Sequence, residues 1–343
     1  MVAFNFAHIP SAATVASTGS FLPRRSGRFL FTAIRVSAPP VRILVFAFLV
    51  CVGIVQFGVD VGGNSATQLA CVALLLLGLP HGTFDWQLLK AGLDRSIIAF
   101  TGRLFLYVAL AAATFAIWQL APALALSSFL IISVAHFAED WVDETIEPDN
   151  QPVFTGEFLA LAVPISLLTI PALTHPETLR SLFAVLTNSV SSGRLVDAMI
   201  LIAPVATAVA AVKIFTDFTD GQIDRGIAGI CVLLAMALLP PIIGFAIYFC
   251  FYHSPLHFGA GIKQLKNDGA AKQMLVIIGL TLAALAIAGF IFALGPRLSV
   301  TDNVVTTAFM TLSMLTVPHM SMPTVIGWLQ RRSHHKLQIT TGG

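Results

Sequence analysis

Stretches of about 20 mostly apolar residues, the length of a bilayer-crossing helix, recur along this chain and constrain it more than any other feature. A segment in hydrocarbon must satisfy its own backbone hydrogen bonds, so each stretch is read as a helix. Spans are predicted near 41–59, 67–88, 103–121, 123–139, 157–174, 195–214, 225–239, 241–258, 274–294 and 304–328, with a short surface helix over 181–190. That makes ten, with eight or nine as alternatives, because the seventh and eighth run together from Arg225 to Phe258. Pro240-Pro241 divides them, since proline cannot continue a helix. Composition agrees: 57% of residues are hydrophobic, 10% are charged and the mean hydropathy is +0.87. Soluble domains carry about 25% charged residues. The predicted fold is an all-α polytopic membrane bundle of about ten (8–10) transmembrane helices.

Charge then orients the bundle. Cytoplasmic loops are enriched in Lys and Arg. With the N-terminus inside, the inner loops hold Lys90, Arg95, Arg103, Lys213, Arg225, Lys263, Lys266, Lys272, Arg331, Arg332 and Lys336; the outer loops hold Arg180, Arg194 and Arg297. Both termini are therefore expected in the cytoplasm, with the chain in the cell membrane. The acidic loop 139–157 is the exception. Residues 1–40 carry Arg24, Arg25, Arg28 and Arg35 and no acid, and read as a basic disordered tail; the same composition describes a transit peptide. Residues 41–330 read as one multi-pass membrane domain and 331–343 as a basic cytoplasmic tail. The net charge of +2 is too small to suggest nucleic acid, and no nucleic-acid partner is expected. Cys51, Cys71, Cys231 and Cys250 have no C-x-x-C spacing and read as small buried hydrophobes.

Histidines carry the chemistry. His253 and His257 stand four apart in Tyr248-Phe249-Cys250-Phe251-Tyr252-His253-Ser254-Pro255-Leu256-His257-Phe258. On a helix that spacing shares one face, as in zinc-binding H-x-x-x-H sites. Pro255 between them predicts a kink or a helix end. His81 lies in Gly78-Leu79-Pro80-His81-Gly82-Thr83-Phe84-Asp85, where the glycines admit a neighbouring helix or a ligand; His136 lies in Ala135-His136-Phe137-Ala138-Glu139-Asp140-Trp141. Asp85 and Asp140 each stand four after a histidine and are candidates to orient it; Glu139 and Asp140 also fit a helix end in the headgroup region beside Trp141. His319, in Thr316-Val317-Pro318-His319-Met320, is a candidate ligand, hydrogen-bond partner or substrate contact, and Tyr248 and Tyr252 are candidates to line a cavity or orient substrate. His81, His136, His253 and His319 fall in the cytoplasmic halves of even-numbered spans, at a similar depth. His8, His175, His334 and His335 read as solvated.

Intramembrane histidines at one depth point to a metal site. Neutral imidazoles suit iron, copper, zinc or nickel, and the residues alone do not separate them. Two other classes share the pattern: a membrane haem or electron-transfer protein with paired axial histidines, and a metal- or proton-coupled transporter, for which the expected inverted repeat is missing.

The segments GLPHGTFDW, AHFAEDW, YFCFYHSPLHF and LTVPHM, in this order, resemble the Brp/Blh family of membrane β-carotene 15,15′-dioxygenases over about residues 70–330. The resemblance implies ferrous iron (Fe2+) held by His81, His136, His253 and His257. It implies an oxidoreductase that uses O2 to split the central double bond of β-carotene into two all-trans-retinal molecules, and so supplies a rhodopsin. It names no catalytic group beyond the metal ligands. Ser254-Pro255-Leu256 between the paired histidines, and Ala138-Glu139 after His136-Phe137, depart from the family's usual residues. Neither change removes a ligand.

Overall fold

The structure is a computed structural model that describes residues 38–90, 96–142, 153–264, 270–295 and 299–341. They form helices, with no strand among the described residues. In chain order these are α1 (Pro39–Gln56), α2 (Asn64–Gly82), α3 (Asp85–Lys90), α4 (Ile97–Leu120), α5 (Pro122–Ala138), a 3-10 turn (Glu139–Trp141), α6 (Val153–Thr174) and α7 (Pro176–Leu186). There follow α8 (Ser189–Thr219), α9 (Ile223–Leu238), α10 (Pro241–Tyr248), a π turn (Phe249–His253), α11 (Ser254–Gln264), α12 (Ala270–Leu294) and α13 (Val300–Thr341). The basic segment 1–37 lies outside the described residues.

Local sequence explains where the helices begin. Proline opens α1, α5, α7 and α10, where its fixed φ suits the first turn and its missing N–H would have had no intrahelical partner. Ser96 caps α4 by accepting from the Ala99 amide at 3.2 Å, and Asn188 caps α8 by accepting from Ser191 at 2.9 Å. Gly221, with φ of 79°, turns the chain between α8 and α9. Pro240 and Pro241 separate α9 from α10, as their sequence predicts.

Six helical stretches are long and apolar enough to cross a membrane, or seven if α6 and α7, bent by 109° at their junction, count as one. The expected count of ten is not reached by that measure among the described residues. The 16 residues of α9 fall short of a crossing. The run from α10 through the π turn to α11 is divided, and α13 carries Asp302 and Asn303 in its first turn and a basic stretch near its end. One expectation needs correction. The surface helix placed at 181–190 begins at Pro176 and buries Leu179, Phe183 and Leu186 in the core, because its apolar residues recur every three to four positions. The basic segment expected as a tail at 331–343 is helical as far as Thr341, as the end of α13.

Two groups of helices meet around a central pair. α6, α7, α8 and α9 pack together, and α2, α4, α12 and α13 form the other group. Between them run α5, which touches α4, α6 and α13, and the α10–π–α11 segment, which touches α1, α2 and α9. Polar bonds pin the second group: Trp118 Nε1 of α4 donates to Ser313 Oγ of α13 at 2.6 Å, and Gln68 Nε2 of α2 donates to Thr301 Oγ1 of α13 at 2.9 Å. The four cysteines are free, as read from their spacing.

Candidate metal centre

The site forms where α5 and the π turn face each other, with α2 and α13 alongside. Pro255 has no N–H to give the Phe251 carbonyl, and its ring crowds that carbonyl. The chain answers with one π turn over Phe249–His253 and then resumes as α11. Such turns are commonly functional. Here the helix kinks without ending, and Ser254 Oγ donates to the Leu77 carbonyl of α2 at 2.6 Å. Gly78 permits the approach, because a Cβ there would fall on the Phe249 ring. Gly82 has no protein atom within 4 Å of a would-be Cβ and instead lines a cavity, so of the two glycines only Gly78 admits a neighbouring helix.

Asp140 lies at the centre of the polar network. It sits in the 3-10 turn that follows the end of α5 and is buried, as is Trp141. Tyr248 Oη donates to Asp140 Oδ2 at 2.7 Å, His253 Nδ1 donates to the same oxygen at 3.0 Å, and His257 Nε2 donates to Oδ1 at 2.9 Å. With Nδ1 committed to the carboxylate, neutral His253 carries its lone pair on Nε2. That Nε2 lies 3.1 Å from His136 Nε2. The His136 ring is 4.7 Å from His253, 5.8 Å from His257 and 5.0 Å from His319. On its other side His136 Nδ1 stands 3.7 Å from Glu139 Oε2.

Four of the five predicted histidines are thus in one cluster. The side chain of His81 lies outside the described residues. Both acids form hydrogen bonds between helices. Asp140 bonds His253 and His257, and Asp85 accepts from His319 Nδ1 at 2.6 Å and from Tyr107 Oη at 2.9 Å. Four-residue spacing puts two side chains on one face, but a carboxylate reaches an imidazole more easily across a helix interface. Tyr252 is buried beside Trp141, at 5.8 Å between rings, and does not line the cavity. His175, expected to be solvated, has Nε2 enclosed at the α6–α7 bend. Sequence reasoning missed Tyr107 and the place of Glu139 beside His136. Tyr107 carried a usable signal: it is one of only three tyrosines, and it sits inside an apolar span.

Metal fits this donor set. The Nε2 atoms of His136 and His253 are close enough to reach one ion through bonds of about 2 Å. Asp140, His253 and His257 also offer three ligand atoms within 4.8 Å of one another. Asp140 already receives three hydrogen bonds, so its geometry is that of the carboxylate that orients ligating histidines. Axial haem ligation by His136 and His253 together does not fit this spacing. It needs nitrogens about 4 Å apart on opposite sides of a macrocycle, twice a bond of about 2 Å, and 3.1 Å leaves no room for one.

Beside the cluster lies an apolar cavity of about 350 Å³, within the size range of small-molecule sites. His136, His319, Asp85, Tyr107, Thr83 and Thr316 are among its polar lining residues; Leu104, Leu280, Ala284, Leu312 and Phe249 are among its apolar walls.

The family model for β-carotene 15,15′-dioxygenase matches residues 72–330. The chain belongs to that family. A β-carotene 15,15′-dioxygenase from the uncultured marine bacterium 66A03 is 27% identical over 256 residues, which cover 73% of this chain and 90% of the relative. No solved structure matches. Membership makes this chain a dioxygenase-family enzyme, and the match contains every histidine of the cluster.

Proposed function

We propose that this protein cleaves β-carotene at its central 15,15′ double bond with O2 to give two molecules of all-trans-retinal. Both oxygen atoms enter the products, one in each new aldehyde, as the carbon–carbon double bond is broken. Ferrous iron held by His81, His136, His253 and His257 would supply the activation of dioxygen. The observation that carries the reading is the meeting of His136, His253, His257 and His319 in one cluster beside an apolar cavity that His136 and His319 line.

The chain's own residues have defined roles. Asp140 holds the Nδ1 proton of His253 and so turns Nε2 toward His136. Tyr248 donates to the same carboxylate oxygen and helps to fix it. The apolar walls exclude water and receive a polyene directly from the bilayer. If α6, α9, the α10–α11 run and α13 each cross along with the other long helices, the bundle has ten spans, and the loop charges put both termini in the cytoplasm of a cell-membrane protein. The retinal would supply a rhodopsin.

Expression in cells that accumulate β-carotene tests the reaction. Pigment should fade and retinal appear on a reverse-phase column, with no long apocarotenal. Persistent colour in cells shown to contain the membrane protein, iron and oxygen would defeat it. His253→Ala should lose both bound iron and retinal formation; full activity in that variant would defeat the ligand assignment.

A further inference from the structure

Two hydrogen-bonded chains of the same composition flank His136. The first is Tyr248–Asp140–His253, described above. The second is Tyr107–Asp85–His319: the phenol donates to Asp85 Oδ2 at 2.9 Å, and His319 Nδ1 donates to Oδ1 at 2.6 Å. In each, a tyrosine and an imidazole share one carboxylate, and the imidazole bonds through Nδ1. Neutral His319 therefore carries its lone pair on Nε2, as His253 does. Both rings stand T-shaped to that of His136. They lie 4.7 and 5.0 Å from it, inclined at 83° and 78°.

The second chain is assembled from three separate helices, α3, α4 and α13. Asp85 is buried in a bundle wall that is otherwise apolar. An ionisable group inside such a bundle is expensive and is kept where it serves function. Its position indicates which function, because His136 and His319 line the cavity, whereas His253 and His257 do not.

We infer that His319 is a further metal ligand, on the cavity side of His136, and that Asp85 and Tyr107 are positioning residues that act through it. The inference rests on the metal-centre reading above and deepens it. A ligand here draws the ion to the end of the cavity where a substrate double bond can approach. A polar staple between α4 and α13 would show the same hydrogen bonds, so the test must read the metal itself.

Purified full-length protein in detergent would be titrated anaerobically with Fe(II), and separately with Co(II), whose visible absorption reports its ligands. His319→Ala should weaken binding of both ions at least about tenfold and change the Co(II) spectrum. Asp85→Asn and Tyr107→Phe should keep the spectral type and lose affinity, by up to roughly 10–100-fold, the usual effect of removing a ligand's hydrogen-bond partner. His175→Ala, remote from the cluster, should match the wild type. Should His319→Ala aggregate, His319→Gln is read in the same way. Wild-type affinity and an unchanged Co(II) spectrum in a folded His319 variant would overturn the inference, whatever its thermal stability. Carotene cleavage measured on the same samples separates the two readings. Wild-type protein that binds metal at His319 but cleaves nothing sinks the reaction alone; a His319 variant with normal metal binding and normal cleavage sinks the ligand alone.

Discussion

Asp140 accepts from Tyr248, His253 and His257, so one carboxylate fixes the orientation of two imidazoles and one phenol. Asp140→Asn keeps the size but replaces one acceptor oxygen with a donor. An amide nitrogen facing two ring N–H groups is repulsive, and His253 must rotate or change tautomer. Affinity for Fe(II) should fall by roughly 10–100-fold, read by anaerobic titration, and cleavage should fall with it. Wild-type affinity in Asp140→Asn would make Asp140 a packing residue only. At this scale the sequence was legible in kind but not in pairing. A histidine in an apolar span marks itself, because lipid tolerates such a group only for a purpose. Which acid meets which histidine depends on how the helices turn about their axes. Spacing within a span does not determine that, so Asp85 proved to bond His319 across the bundle. Tyr107 was overlooked because it stands in an apolar segment with no histidine or acid near it in sequence.

The π turn is the element that makes the site. Pro255 announced a disturbance, and two outcomes were open: a helix that ends or a helix that bends. Ser254 bonding to α2 and the immediate restart as α11 give the second. Without Pro255, an N–H returns to bond the Phe251 carbonyl and the π turn loses its main cause. Pro255→Ala should therefore remain folded and tighten toward a regular α-helix, carrying His253 out of line with Asp140. Metal affinity should drop roughly tenfold with little change in thermal stability in detergent. Unaltered affinity would mean that the hydrogen bonds of His253, rather than the proline, hold the turn. Elsewhere the helix boundaries were readable because proline and capping residues act locally: Pro122, Pro176, Pro241, Ser96 and Asn188 each start a helix where local chemistry favours it. The crossing count was less readable. Whether a 16-residue helix such as α9 spans or only lies within the bundle depends on its neighbours, not on its own residues.

Across the whole molecule, most of the candidate metal centre and most of the cavity wall come from different helices. The centre belongs to the α5–π-turn contact, while much of the cavity wall comes from α4, α12 and α13. Ala284 on α12 is buried, lines the cavity and belongs to no hydrogen-bonded chain of the site. Ala284→Phe puts a ring into a space of about 350 Å³ from the wall formed by α12. A polyene that must lie full length against the histidines would lose its place, while the imidazoles and Asp140 keep theirs. Such overpacking costs about 1–3 kcal/mol where no space exists; with a cavity to fill, the stability change should be smaller. The expected result is normal Fe(II) affinity and a normal melting temperature in detergent, with retinal formation from β-carotene strongly reduced. A shorter apocarotenoid, which needs less of the cavity, should be cleaved with a smaller loss. Equal losses for the long and short substrates would place the substrate's long axis outside this cavity. Loss of iron together with activity would show that the cavity wall and the metal centre are mechanically one unit.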